Sequence, residues 1–211
     1  MKPKIFSENF FKICKELENL NSSFRIEGFP SEYEGIKAPE YNNEIRLWQI
    51  PRSTGQLLKL LVLLKRPNLI LELGTSAGYS ALWLASGLKE LKKGKIYTIE
   101  LAKPKILMAR NYFNKAELNS KIKQIEGDFS KVLSGWNKRI DFIFMDADKS
   151  NYYKYLKIIE PWLNKDAIII ADNALDFKDL MKDYLDYVSK SKKYYSYLLN
   201  LDHGLMISIK K

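Results

Sequence analysis

One cysteine and one histidine in 211 residues exclude several chemistries at once. Cys14 alone cannot form an intrachain disulfide, a C-x-x-C redox pair or a cysteine-rich zinc site, and it reads as a small core residue on a helix. His203 alone cannot supply a multi-imidazole metal centre or a histidine pair for acid and base work, so any metal chemistry must use oxygen ligands. No uninterrupted apolar stretch approaches the roughly 18 residues of a membrane span, and charges interrupt the apolar residues near the N-terminus, unlike the core of a signal peptide. A cytoplasmic protein with no membrane partner is expected. Arginine is sparse too: Arg25, Arg46, Arg52, Arg66, Arg110 and Arg139 are the whole supply among 35 basic residues, in a chain of net charge +10. The lysines are spread along the whole length beside abundant Asn, Ile and Tyr, which reads as compositional bias more than as a nucleic-acid surface. RNA stays open as a substrate. No internal repeat is visible, and a chain that is 46% hydrophobic and 28% charged fits one globular domain.

The stretch Leu69-Ile70-Leu71-Glu72-Leu73-Gly74-Thr75-Ser76-Ala77-Gly78-Tyr79-Ser80 organises the rest. A short apolar strand ends in glycine, and a helical pattern (Leu82, Trp83, Leu84, Leu88, Leu91) begins at once after Gly78. A strand, a glycine turn and a helix N-terminus bring bare backbone and unpaired N–H groups up to a ligand of nucleotide type. The spacing Gly74-x-x-x-Gly78 is not the G-x-G-x-x-G of dinucleotide sites, so a pyrophosphate is disfavoured. Glu72, a carboxylate inside an apolar run, is expected to point toward a cationic ligand. The next strand, 95–99, ends in Glu100, which suits the two hydroxyls of a ribose. A ribosylated cation satisfies both.

At this point the chain resembles the class I S-adenosylmethionine-dependent methyltransferases, whose glycine motif has the form Glu72-x-Gly74-x-x-x-Gly78. Gly78-Tyr79-Ser80 is similar more specifically to the metal-dependent catechol and caffeoyl-CoA O-methyltransferases. The resemblance runs from about Trp48 to the C-terminus. It implies a Rossmann-like α/β fold, with a seven-stranded, mostly parallel sheet in the order 3-2-1-4-5-7-6, one antiparallel strand and helices on both faces. It also implies one methyltransferase domain over 1–211, with 1–66 as an N-terminal helical segment and 67–211 as the cofactor-binding core. S-adenosylmethionine would be held by Ile50, Glu72, Gly74, Ser76, Gly78, Tyr79, Ser80, Glu100, Asp128, Phe129 and Asp146. Asp128 is equally a turn and N-cap signal, and Trp48, carried over as a substrate contact, is equally a wedge in the core. Family members are often dimers, so a homodimer is expected.

Element by element, Phe6, Phe10, Ile13, Leu17 and Leu20 recur at helical spacing and mark an amphipathic helix covering the core or a partner subunit. Residues 28–46, with Gly28, Pro30, Gly35, Pro39 and Asn42-Asn43, read as an irregular connection. Ser53 is a candidate N-cap for a helix from Thr54 to Leu64, which Pro67 ends. Strands are expected at 69–73, 95–99, 122–126, 140–145 and 167–171, helices at 79–92, 104–117, 150–160 and 176–190, and a closing hairpin at 194–199 and 205–209.

The fourth strand runs into Asp146-Ala147-Asp148-Lys149 and the fifth into Asp172-Asn173. Adjacent parallel strands would bring Asp146, Asp172 and Asn173 together. Two carboxylates and an amide carbonyl are hard oxygen donors, suited to Mg²⁺ first, or to Mn²⁺ or Ca²⁺. The set matches the family's metal site residue by residue, and Lys149 matches its catalytic base, with Asp146 beside it. Tyr152 and Asn200 join Trp48 and Lys149 as candidate substrate contacts. The plant members' substrate loop is missing after Asn173, which suggests a more open pocket than caffeoyl-CoA requires. Asp202-His203-Gly204-Leu205 resembles the family's closing segment, where His203 is expected to shape the hairpin. Three functions stand: a metal-dependent O-methyltransferase of a catechol-like or vicinal-diol small molecule, a tRNA methyltransferase acting on a hydroxylated uridine, and a non-catalytic cofactor-binding module.

Overall fold

A computed structural model describes residues 8–27 and 47–211. The expected irregular connection at 28–46 and the position of Phe6 lie outside the described residues. Helix α1 (Glu8–Glu27) buries Phe10, Ile13, Cys14 and Leu17, the stripe its spacing predicts. Helix α2 (Arg52–Lys65) follows, ended by Arg66 in the left-handed conformation just before Pro67. Strand β1 (Leu69–Leu73), helix α3 (Tyr79–Glu90), strand β2 (Lys95–Glu100), helix α4 (Lys103–Lys115) and strand β3 (Ile122–Glu126) complete the first half. The second half comprises α5 (Phe129–Ser134), β4 (Ile140–Met145), α6 (Tyr152–Ile159), β5 (Leu163–Asp172), α7 (Lys182–Lys190), β6 (Tyr194–Leu199) and β7 (Leu205–Lys210).

All seven strands form one sheet in the order β3-β2-β1-β4-β5-β7-β6, with β7 antiparallel to both neighbours and the rest of the pairings parallel, as expected. The two-residue alternation of β1 divides the core. Ile70 faces a cluster with Phe10, Leu17, Leu58, Trp83 and Phe142, while Leu71 and Leu73 face a second cluster with Ile143, Tyr155, Leu156 and Met206. Order reverses at β1, whose neighbours are β2 and β4, so the crevice of the fold opens at the carboxyl ends of these strands. No helix among the described residues is long and apolar enough to cross a membrane.

Three local expectations need correction. Ser53 does not cap α2: the N-cap is Pro51, which has no side-chain cap, and the Ser53 hydroxyl is instead bonded to Asp202. The helix expected over 176–190 is confined to Lys182–Lys190, because the Ala174, Leu175 and Asp176 amides donate to the Gly204 and His203 carbonyls of the β6–β7 hairpin rather than to a helix. Helix α5 was not anticipated; six residues are too few for periodicity to register.

Candidate active site

The turn after β1 is drawn tightly against the end of β4. Gly74 has φ +101°, and a Cβ there would collide with the Asp146 backbone carbonyl. The Gly74 and Thr75 amides both bond the Ile99 carbonyl at 3.1 Å, and the Asp146 amide bonds the Leu73 carbonyl at 2.9 Å. The result is a cleft lined by Trp48, Gln49, Ile50, Gly74, Ser76, Tyr79, Ser80 and Asp146, among others. Leu47–Ile50 closes it from above, held by a hydrogen bond from the Ser76 hydroxyl to the Leu47 carbonyl. Trp48 is 68% exposed, so it stands at the rim and is no wedge in the core. Four non-glycine residues with positive φ gather around this region: Trp48 (48°), Ser76 (45°), Asn173 (64°) and Asp202 (53°). Each such conformation costs about 1–3 kcal/mol and persists only where surrounding contacts fix it, which is the usual mark of a functional site.

Glu100, buried at the end of β2, is tied to the cleft-lining Ser76. Its Oε2 accepts from the Ser76 amide at 2.9 Å, and its Oε1 accepts from the Leu101 and Ala102 amides at 2.9 and 3.0 Å. Its carboxylate is therefore fixed in place before any ligand arrives. Tyr79, the first residue of α3, donates its hydroxyl to Glu18 of α1 at 2.5 Å, and the same carboxylate takes a two-pronged contact from Arg52 at 2.9 and 2.7 Å.

The second half of the site lies across the β4–β5 pair. Met145 pairs with Ala171 in register, so Asp146 and Asp172 follow at the same level of adjacent strands. Lys149 donates to Asp146 Oδ1 at 2.6 Å and to the Tyr152 hydroxyl at 3.0 Å. Asp172 is only 3% exposed, and its Oδ1 has no hydrogen-bond partner among the described residues. Burial, and after it the charge of Asp146, push the Asp172 carboxyl above its ordinary value. Asp146 and Asp172 thus bring two carboxylates, one with a buried oxygen that has no hydrogen-bond partner among the described residues, to adjacent strand ends. No three His, Cys, Asp or Glu side chains cluster at metal-binding spacing among the described residues. A third protein ligand would therefore come from an amide such as Asn173, which is half-buried next to Asp172.

A family model described as O-methyltransferase matches residues 33–207. The chain belongs to the O-methyltransferase family. It is 33% identical over 127 residues to a catechol O-methyltransferase of Niastella koreensis, an alignment covering 58% of this chain and 57% of that relative. It is 31% identical over 156 residues to the caffeoyl-CoA O-methyltransferase of Medicago sativa, covering 70% and 62%. The chain thus spans less than two thirds of the length of either relative. The SAH-bound methyltransferase PaMTH1 of Podospora anserina shares its fold, with TM-score 0.77 over 98% of this chain and 89% of that one at 20% identity. The resemblance read from Glu72-x-Gly74-x-x-x-Gly78 holds: this is an S-adenosylmethionine-dependent O-methyltransferase of the catechol and caffeoyl-CoA type.

Within this O-methyltransferase several expected site residues have structural partners of their own. Glu72 does not line the cleft. It shares the face of Ile70, is fully buried beneath the turn, and accepts from the Thr98 hydroxyl at 2.5 Å. Burial pushes its carboxyl up to about 8, against the opposing hydrogen bonds of Thr98 and Ser80, and its Oε1 has no hydrogen-bond partner among the described residues. Tyr152 is not at the substrate either. It is 0% exposed, and its hydroxyl donates to the Met145 carbonyl at 2.9 Å while accepting from the Ala147 amide at 3.1 Å and from Lys149. Asp128 caps α5 by accepting from the Lys131 amide at 3.0 Å, the turn-and-cap alternative. Phe129 packs on Tyr155 with ring centroids 5.6 Å apart, and Gly78 is buried at the head of α3. Asn200 is exposed at the start of the hairpin turn.

Sequence reasoning passed over Gln49, whose Oε1 is buried without a partner among the described residues although the side chain lines the cleft. Its neighbours Trp48 and Ile50 were recognised, but a lone glutamine carries no periodic or motif signal.

Proposed function

We propose that the chain is a divalent-cation-dependent O-methyltransferase that moves the methyl group of S-adenosylmethionine to a hydroxyl of a catechol-like or vicinal-diol small molecule. The observation that carries the metal dependence is the unanswered Asp172 Oδ1 beside Asp146, at the level where β4 and β5 end against the cleft. Asp146, Asp172 and Asn173 would hold the ion, with Mg²⁺ as the first choice for an all-oxygen set. When bound, a divalent cation supplies Lewis acidity that makes a neighbouring hydroxyl a better nucleophile.

The chain's own residues do the rest. Glu100, fixed by three backbone amides, presents its remaining lone pairs to the ribose hydroxyls. Gly74 lets the turn after β1 pack directly on the Asp146 carbonyl, which brings the two strand ends together at the cleft, and Gln49 offers its unpartnered carbonyl to a ligand donor. Trp48 and Ile50 wall the cleft above the transferred methyl and limit the entry of water. In its neutral amine form Lys149 Nζ, held between Asp146 and Tyr152, would take the proton of the acceptor hydroxyl; as the ammonium it can only donate. Alignment of the two reactants supplies much of the acceleration, and no covalent enzyme intermediate is needed.

The test is transfer of labelled methyl from S-adenosylmethionine to a panel of catechols and, in parallel, to undermodified tRNA, each with Mg²⁺ and with chelator. Metal-dependent label in a catechol is expected. Label in tRNA alone would replace the small-molecule reading by the tRNA one, and full activity in chelator would remove the metal role.

A further inference from the structure

Helix α2 begins at the end of the segment that walls the cleft, yet its N-cap is a proline with no side chain to bond the free amides of the first turn. The missing cap comes from the other end of the chain. Asp202, in the β6–β7 hairpin, accepts from the Thr54 amide at 3.2 Å and the Thr54 hydroxyl at 2.6 Å, and Ser53 Oγ lies 2.8 and 2.6 Å from its two oxygens. Thr54 is fully buried whereas Asp202 is exposed, so the contact is only partly shielded from water. Burial works against ionisation of Asp202, but the Ser53 and Thr54 hydrogen bonds outweigh it and hold the carboxyl below its ordinary value.

The same five-residue turn grips the other wall of the site. The Gly204 carbonyl accepts from the Ala174 amide at 2.9 Å, the His203 carbonyl accepts from Leu175 and Asp176 at 3.1 and 3.3 Å, and His203 Nδ1 meets Asp176 Oδ2 at 2.7 Å. Gly204 has φ +84°, and a Cβ there would strike Leu175, so the hairpin and the stretch after Asn173 are in backbone-to-backbone contact. One rigid turn therefore touches the segment leaving Trp48–Ile50 and the segment leaving Asp172-Asn173. Asp202 and Asn173 are themselves both in the left-handed conformation.

We propose that Asp202 is a positioning residue for methyl transfer: by capping α2 from a hairpin that also anchors residues 174–176, it sets the placement of the cofactor wall relative to the Asp172-Asn173 wall. It touches neither cofactor nor substrate. The inference rests on the proposed reading of both walls as one site, and it accounts for a side chain at a left-handed position that glycine would occupy with less strain.

The test is calorimetric titration of S-adenosylhomocysteine into the full chain, its Asp202→Ala and Asp202→Asn variants, and Glu160→Gln as a control. Each is measured where circular dichroism shows it folded. Glu160 lies just before β5, at the opposite end of the sheet, so its loss lowers stability without reaching the cleft. Asp202→Ala is expected to weaken binding by up to about tenfold, the limit reached if the whole stability cost of one lost helix cap must be recovered on binding. Asp202→Asn, which keeps an acceptor for the Thr54 amide, should recover it to within about twofold, since Asn and Asp cap about equally well. Glu160→Gln should leave affinity unchanged. A merely structural Asp202 would lower the melting temperature and leave the affinity of the folded protein alone, and that result would overturn the inference. If Asp202→Ala fails to fold, the pair Ser53→Ala with Thr54→Val removes the hydroxyl contacts from the α2 side and leaves only the Thr54 amide bond, so a smaller loss of affinity is expected and unchanged affinity would overturn the inference. No binding by the unmodified chain would instead remove the cofactor reading, and the inference with it.

Discussion

Replacing Tyr152 by Phe removes one oxygen atom from a site that is completely buried, without creating a cavity. That oxygen serves three groups: it donates to the Met145 carbonyl at 2.9 Å and accepts from the Ala147 amide at 3.1 Å and Lys149 Nζ at 3.0 Å. The Ala147 amide is left without its acceptor, at about 1–3 kcal/mol for a buried group, and the ammonium loses one of its two partners. Because Ala147 is only half-buried, water recovers part of this, and a net loss of about 3 kcal/mol follows. For a chain of this size that lowers the melting temperature by roughly 6–12 °C. Turnover should fall about tenfold, a part of the roughly 10²–10⁴ that a positioned base supplies, while affinity for S-adenosylhomocysteine holds. Tyr184→Phe is the internal comparison: Tyr184 is equally buried and stacks edge-on against Tyr152 at 5.8 Å, but its hydroxyl, although turned toward Ser208, completes no hydrogen bond of normal geometry. Its loss should be neutral or slightly stabilising. Thermal melts and steady-state rates of both variants decide the matter; equal stability losses would refute the argument from hydrogen-bond satisfaction.

Further outcomes can be checked alongside. Glu100→Gln should weaken S-adenosylhomocysteine binding by calorimetry, because an amide presents one acceptor where the carboxylate serves the Ser76, Leu101 and Ala102 amides and, on the proposed reading, would also serve a ribose; unchanged affinity would withdraw the ribose assignment. Asp146→Ala should abolish metal-stimulated turnover with cofactor binding largely kept, and activity that persists unaltered in chelator would count against the ion. Glu160 gives an acid-stability prediction. Burial would raise its pKa, but hydrogen bonds from Tyr187, Tyr194, Lys193 and Lys157 take it down to about 2. A carboxyl depressed in the fold stabilises fully above its unfolded value near 4.5 and loses that contribution as pH falls toward 2. Two of its partners are exposed lysines, so the contribution is no more than about 2 kcal/mol. Urea midpoints of Glu160→Gln and the parent should converge between pH 4.5 and 2, and a constant gap would contradict it.

The fold was legible because its signals are periodic. Strand and helix alternate along the chain, and the apolar alternation Ile70/Leu71 and the stripe Phe10, Ile13, Leu17 each mark a buried face. The strand-end acids were legible because Asp146 and Asp172 each terminate an apolar run, which places them at the carboxyl edge of a parallel sheet. What escaped was everything decided by direction or by distant partners. Glu72 lies inside the glycine motif, but two-residue alternation turns it under the turn rather than into the cleft. Tyr152 follows Lys149 at helical spacing, and only the packing of α6 on β4 shows that it supports the lysine from beneath. Ser53 has the right residue type and place for a cap, yet its acceptor is the hairpin Asp202, 149 residues away in sequence. A pattern within ten residues cannot report a contact made across the whole chain.

The Glu18 carboxylate binds both Arg52 and Tyr79. Helix α1 thereby fastens the start of α2 and the start of α3, the two helices that flank the cleft, from a position remote from the glycine motif in sequence. A shortened chain lacking α1 would retain every residue by which the family is recognised, Glu72 to Ser80 intact, and would still leave the Tyr79 hydroxyl and the Arg52 guanidinium without their shared anion. In such a chain the signature of a cofactor pocket would survive while the pocket itself lost its brace.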